Sequence, residues 1–266
     1  AGLEARQSNC LILDWETSER QTWWRNREIL LARATEIGDW PDPEALKQGR
    51  TGMVFYRFMA GPLINDVEYL KTQIHDLNID TICIDSAGPA CGGEPESAAA
   101  TLKFFEALRM LSDHDRPLQS IIVAHVTHES RRGGQSSPFG SVYWLNIPRN
   151  VFELQSSQGQ GSSHSDYALH HRKSNLGPLQ SPLGFRLTWG QGCTIEELDI
   201  RKNSHLVAGL PYGERAQILI EENGALSTDD LADLMDANKK TIAATLSRDH
   251  RFESVNGKWE ASPSDW

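Results

Sequence analysis

Four polar side chains stand where short aliphatic runs end. Glu16 follows Leu11-Ile12-Leu13-Asp14-Trp15, Asp85 and Ser86 follow Ile82-Cys83-Ile84, and His125 follows Ile121-Ile122-Val123-Ala124. Phosphoryl transfer needs a metal to neutralise phosphate oxygens and a carboxylate to orient the attacking water. The two carboxylates are of the types such chemistry uses. An acid at a strand end also serves as a helix cap or a solvated edge, but two in this order read as a site.

Such a site needs elements to position it. Short β-branched and aliphatic runs read as buried parallel strands, and open α/β folds bind ligands at the carboxyl ends of such strands. Further strand signals lie at Met53–Phe58, Tyr167–His171 and Phe185–Trp189, the last two flanking a basic turn that suggests a hairpin at the end of the sheet. Apolar residues at helical intervals predict helices over Thr17–Glu36, Asp66–Leu77 and Ser97–Ser112. Strand and helix in alternation imply a mostly parallel sheet with helical crossovers, an α/β fold. Thr127–Pro138 and the Ser/Gln/Gly-rich Gln155–Ser165 read as loops. A glycine-rich phosphate loop, G-x-x-x-x-G-K-[ST], does not occur in the 266 residues.

The last third has a different texture. Glu214–Glu222 carries apolar residues at helical spacing, Gly224 breaks it, Ser227-Thr228-Asp229-Asp230 opens a second helix with acids in its first turn, and Lys239–Ser247 makes a third. An extended tail, Phe252–Trp259, turns at Asn256-Gly257. Three short helices and a hairpin predict a winged helix-turn-helix, giving bodies at 1–190 and 213–266 with a connector at 191–212.

Composition bounds the function. With 39% apolar residues the chain has ample material for a core, and it offers no stretch of roughly 20 apolar residues for a bilayer span. A cytoplasmic protein without membrane contact is the expectation. Cys10, Cys83, Cys91 and Cys193 are scattered and suggest neither a disulfide framework nor a C-x-x-C metal site. A net charge of -10 excludes indiscriminate coating of nucleic acid, so any such surface is a local patch.

Several motifs resemble one family in both order and spacing: Leu13-Asp14-Trp15-Glu16, Asp85-Ser86, Ala124-His125-Val126-Thr127, Pro138-Phe139-Gly140-Ser141 and Lys173-Ser174-Asn175. Over residues 1–189 the chain resembles RecA-fold ATPases of the RepA-type, DnaB-related helicase group, AAA-type domains of the P-loop superfamily. The resemblance implies a DNA-acting ATPase, plausibly a helicase motor of replication or mobile elements, that hydrolyses ATP with Mg²⁺ between subunits of a homo-oligomeric ring. It implies Glu16 as catalytic base, Asp85 as the Walker B acid that holds the metal, with Ser86 beside it at the nucleotide, and His125 as the sensor of the γ-phosphate. It implies Arg172 and Lys173 as a basic finger reaching the neighbouring subunit's nucleotide. Gly88–Glu96 and Thr127–Ser137 match the loops that face single-stranded DNA, where Arg131 and Arg132 would contact phosphates among the diluting acids Glu94, Glu96 and Glu129. Ala1-Gly2-Leu3 looks like the tail of the helix that follows the phosphate loop, so the first strand and that loop are missing from the expected sheet.

In the C-terminal module Lys239, Lys240 and Arg248 would face single- or double-stranded DNA if the third helix reads it. Acids outnumber bases by ten to six between Gly213 and Ala261, which favours protein contact equally. The alternative for the whole chain is a non-hydrolysing DNA-binding or adaptor protein, and a recombination mediator of the same fold is not separable by sequence.

Overall fold

The computed structural model describes residues 8–22, 24, 25, 27, 54–112, 118–126, 138, 140–190 and 192–261. The predicted helix over Thr17–Glu36 is described only in part, with residues 19–22, 24, 25 and 27 helical. Arg131, Arg132 and Phe139 lie outside the described residues.

The aliphatic runs form a four-stranded parallel sheet flanked by helices, as expected for a RecA-like core. Its strands are β1 (Cys10–Asp14), β2 (Val54–Phe58), β3 (Thr81–Asp85) and β4 (Gln119–Val123), in the order β2-β1-β3-β4. Helices α1 (Val67–Asp76) and α2 (Ala98–Ser112) pack on one face. Alternation explains the burial: Leu11, Leu13, Ile82 and Ile84 point into a core with Leu70, Ile74, Phe104 and Leu111. Each such side chain contributes about 1.5–3 kcal/mol through the area it removes from water. Ile121 and Val123, read as buried, are 51% and 40% exposed because they lie in register with Cys83 and Asp85 on the face opposite α1 and α2, whereas Ile122 packs on the core. The chain leaves β1 for β2 on one side and returns to β3 on the other. The strand order therefore switches between β1 and β3, where α/β sheets open a crevice.

The late strands do not extend this sheet, contrary to the hairpin expected at its end. They form a second, antiparallel sheet, β5 (Asn150–Ser157), β6 (His164–Ser174), β7 (Leu183–Gly190) and β8 (Gly192–Glu197), in sequential order. Two stretches read as irregular belong to it: residues 155–157 and 164–165 are strand, and β8 lies within the stretch read as a connector. Polar strands with alternating faces escape a search for aliphatic runs. Ala168 and His170 face a small core of Ile200, Leu206, Leu210 and Ile218. Gly184 is required here, because a Cβ at that position would sit 2.1 Å from the Leu198 carbonyl oxygen.

The C-terminal elements are α3 (Tyr212–Asn223), α4 (Thr228–Met235), α5 (Lys239–Arg248) and the hairpin β9 (Phe252–Val255) with β10 (Lys258–Ala261). Gly224 ends α3 at φ +79°, Ser227 and Asp230 form a capping box on α4, and Asn238 caps α5. Asn256 and Gly257 both take positive φ, as a two-residue hairpin turn demands. Leu231, Met235, Ile242, Leu246 and Phe252 form their own core, and Leu226 bridges to Trp259 of the hairpin. No helix among the described residues is long and apolar enough to cross a membrane.

Candidate active site

Register brings the chemistry together. Asp14 lies opposite Asp85 on β3, and Asp85 lies opposite Val123 on β4, so the residues just past these three strand ends crowd one edge. Glu16 leaves β1 and turns toward β3. Its Oε1 accepts a hydrogen bond from the Ser86 hydroxyl at 2.5 Å and lies 2.9 Å from Nε2 of His125. Ser86 itself is fully buried, whereas the Glu16 and His125 side chains are 37% and 66% exposed. The cluster faces solvent from a rigid floor.

Electrostatics separates the two acids. The Ser86 hydroxyl, then the His125 contact, holds the Glu16 carboxyl below its ordinary range. Asp85 moves the other way: partial burial, then the negative charges of Glu16 and Asp14, pushes its carboxyl up. A carboxylate destabilised by burial and like charge gains from a cation. The Asp85 carboxylate is a hard oxygen donor of the type Mg²⁺ takes together with water and phosphate oxygens, whereas the Ser86 hydroxyl is buried and engaged with Glu16. No group of three or more His, Cys, Asp or Glu side chains suited to a metal occurs among the described residues, so a cation here depends on that kind of partial set.

Two features of this edge carry no signal in the aliphatic-run search. Asp14 is a buried acceptor of hydrogen bonds from its own turn, and Tyr56 of β2 donates to it at 3.2 Å. Asp side chains readily accept the backbone N–H two residues on, and Asp14 does so from Glu16 and Thr17 in Asp14-Trp15-Glu16-Thr17. Beyond the edge, the Pro95 carbonyl accepts from Ser141 N–H at 2.9 Å and the Trp144 indole N–H at 3.1 Å, tying the end of the segment after Asp85 to the Pro-Phe-Gly-Ser region.

The remaining site candidates lie elsewhere. Arg172 and Lys173 are the last residues but one of β6 rather than a turn. Arg172 Nε donates to Glu153 at 2.6 Å and Nη2 to the Gly209 carbonyl at 2.8 Å; Lys173 Nζ donates to the carbonyls of Leu145, Asn146 and Pro148, each at 2.8 Å. Both cations hold their own chain together. In the C-terminal module Lys239 pairs with Asp229 at 2.5 Å, while Lys240 and Arg248 are exposed on α5.

The parallel sheet thus brings an acid, a hydroxyl and an imidazole together at the carboxyl ends of β1, β3 and β4 of an α/β domain. The AAA domain family model, which describes ATPase-type nucleotide-binding domains, matches residues 1–131, the stretch that contains Glu16, Asp85, Ser86 and His125. Comparison with curated proteins gives no match.

Proposed function

We propose that residues 1–190 form the hydrolytic core of a DNA-acting, ATP-dependent motor of the RepA/DnaB-like helicase type, with residues 213–261 as an appended winged helix. The observation that carries the reading is the Glu16 carboxylate held between Ser86 and His125 at the carboxyl ends of β1, β3 and β4. Glu16 stays ionised because hydrogen bonds favour its charged form, as a base that orients and deprotonates water requires. His125, on the same oxygen, links the base to the end of β4, so that a γ-phosphate arriving at one is felt at the other. Asp85 would hold Mg²⁺, which supplies neutralisation of the phosphate charge when bound, with Ser86 beside it fixing Glu16.

Residues outside this set must cradle the β- and γ-phosphates, since the sequence holds no G-x-x-x-x-G-K-[ST]. That same feature favours the second reading, a non-hydrolysing DNA-binding or adaptor protein that works through its C-terminal module. For Arg172 and Lys173 to serve a neighbouring subunit in a ring, assembly would have to exchange their present partners for phosphate.

Mg-ATP hydrolysis, measured with and without single-stranded DNA for the chain and for its Glu16→Gln variant, tests the proposal. Turnover that the variant abolishes without weakening nucleotide binding supports it. Turnover that survives removes Glu16 from the base role, and a folded chain without turnover in any assembly selects the adaptor.

A further inference from the structure

Asp14 ends β1 with only 2% of its surface exposed. Burying a carboxylate is costly unless hydrogen bonds replace its water. Here they do: Oδ1 accepts the backbone N–H of Glu16 at 2.8 Å and of Thr17 at 2.9 Å. Oδ2 accepts the Thr17 hydroxyl, the Tyr56 hydroxyl at 3.2 Å and the Thr22 hydroxyl at 3.5 Å. Burial pushes the Asp14 carboxyl up, but the bonds from Thr17, the Glu16 amide and Tyr56 outweigh it and hold the group below its ordinary range.

These bonds act on geometry. Two consecutive amides on one carboxylate oxygen fold residues 14–17 into a tight turn. Trp15, inside that turn, is fixed at both ends, its N–H on the Asp85 carbonyl at 2.7 Å and its indole N–H on the Gly61 carbonyl at 2.9 Å. With the backbone on either side of Glu16 held, the Cα–Cβ bond is aimed so that the side chain reaches Ser86 and His125 at the ends of β3 and β4. A carboxylate is suited to this work because charge-assisted bonds to amides are stronger than neutral ones.

We infer that Asp14 is the positioning residue for Glu16: its buried carboxylate fixes the 14–17 turn so that the candidate base stands over the Ser86–His125 pair. The inference rests on the reading of Glu16 as the base and deepens it. An acid that only stabilised the fold would leave the aim of Glu16 unchanged once the chain had folded.

Asp14→Asn, Asp14→Ser and Asp14→Ala, with the core substitution Ile74→Val as a stability control, separate the two roles. In the nucleotide-free chain the nuclear Overhauser contact between the Glu16 methylene protons and the His125 ring is expected to persist in Ile74→Val and in Asp14→Asn, which keeps an oxygen toward both amides. It is expected to vanish in Asp14→Ala. Asp14→Ser, whose shorter hydroxyl still accepts one amide, should weaken it and serves if the alanine variant fails to fold. At saturating ATP, kcat should fall about 100-fold in Asp14→Ala with KM changed less than about twofold, and Asp14→Asn should recover most of it. A full contact and unchanged kcat in folded Asp14→Ala or Asp14→Ser would overturn the inference. A wild-type chain without turnover overturns the ATPase reading instead, and the Overhauser contact then decides on Asp14 alone.

Discussion

The Ser86 hydroxyl donates to Glu16 Oε1 at 2.5 Å, joining two residues 70 positions apart in the chain. Ser86 is buried and cannot follow the carboxylate if it moves, so the bond selects one Glu16 orientation as well as its charge state. Ser86→Ala should let the Glu16 pKa rise toward its ordinary value. A base works only when ionised, so the acid limb of the kcat/KM profile should shift to higher pH, with kcat down about tenfold, the worth of one hydrogen bond to a charged group. An acid limb that stays in place would assign it to another group.

Gly140 takes φ +120°, and a Cβ there would lie 2.4 Å from the Pro95 carbonyl oxygen. That oxygen is the shared acceptor of Ser141, Trp144 and, at 3.3 Å, the Thr101 hydroxyl. Gly140→Ala must therefore strain the backbone and open this junction together. We expect a loss of about 3 kcal/mol in urea unfolding and faster proteolysis between Cys91 and Ser97. A stable, protease-resistant variant would show that the junction can move aside.

Arg172 and Lys173 can be separated from a role between subunits by measuring folding first. Arg172→Ala takes the cation from the Glu153 carboxylate, whose side chain is only 10% exposed and keeps the Gln155 amide at 3.3 Å, and should cost about 3 kcal/mol. Lys173→Ala frees three carbonyls and should cost about 2 kcal/mol. A finger acting across an interface would show the opposite pattern, with stability intact and hydrolysis of the double variant partly restored by mixing with Glu16→Gln subunits.

The parallel sheet was legible because its strands are runs such as Ile82-Cys83-Ile84, buried by hydrophobicity alone. Glu16, Asp85 and His125 followed from the same signal, since each ends such a run. The second sheet was half legible. Its strands β5 and β8 hold no sustained aliphatic run, and Gln155, Ser156 and Ser157 have a loop's composition while pairing with Ala168, Tyr167 and Asp166. Long-range pairing overrode local composition there. The partners of Arg172 and Lys173 were beyond sequence reasoning, because a cation's chemistry is the same whether a carbonyl or a phosphate receives it.

His170 offers a pH test within that second sheet. The ring is 1% exposed, and neither nitrogen has a hydrogen-bond partner among the described residues. Burial, then the neighbouring Arg172 charge, pushes its pKa down to about 4, against the opposing pull of Glu153. The folded chain thus keeps the ring neutral while the unfolded chain protonates it near 6.5, so the unfolded state binds more protons between those values. The stability it contributes is complete above pH 6.5 and is lost as pH falls toward 4, a change on the order of 3 kcal/mol. His170→Leu should flatten that part of the urea stability curve while leaving the acid sensitivity of the Asp166–Arg186 pair, and an unchanged slope would locate the acid lability elsewhere.

The charge of the C-terminal module decides between its two readings. Of the exposed cations of α5, near an α4 that presents Asp229, Asp230 and Asp233, Lys239 is paired with Asp229, and the others are Lys240 and Arg248. If α5 enters a DNA groove, those two side chains neutralise phosphates, and replacing both with Ala should reduce the salt dependence of DNA binding by about two units of log–log slope. The acidic α4 should make such binding weak and confined to low ionic strength. Leu234 is 57% and Val255 38% exposed on the same module, apolar contacts suited to a protein partner. A slope unchanged by the double variant would take α5 out of DNA contact and favour the protein-contact reading of the module.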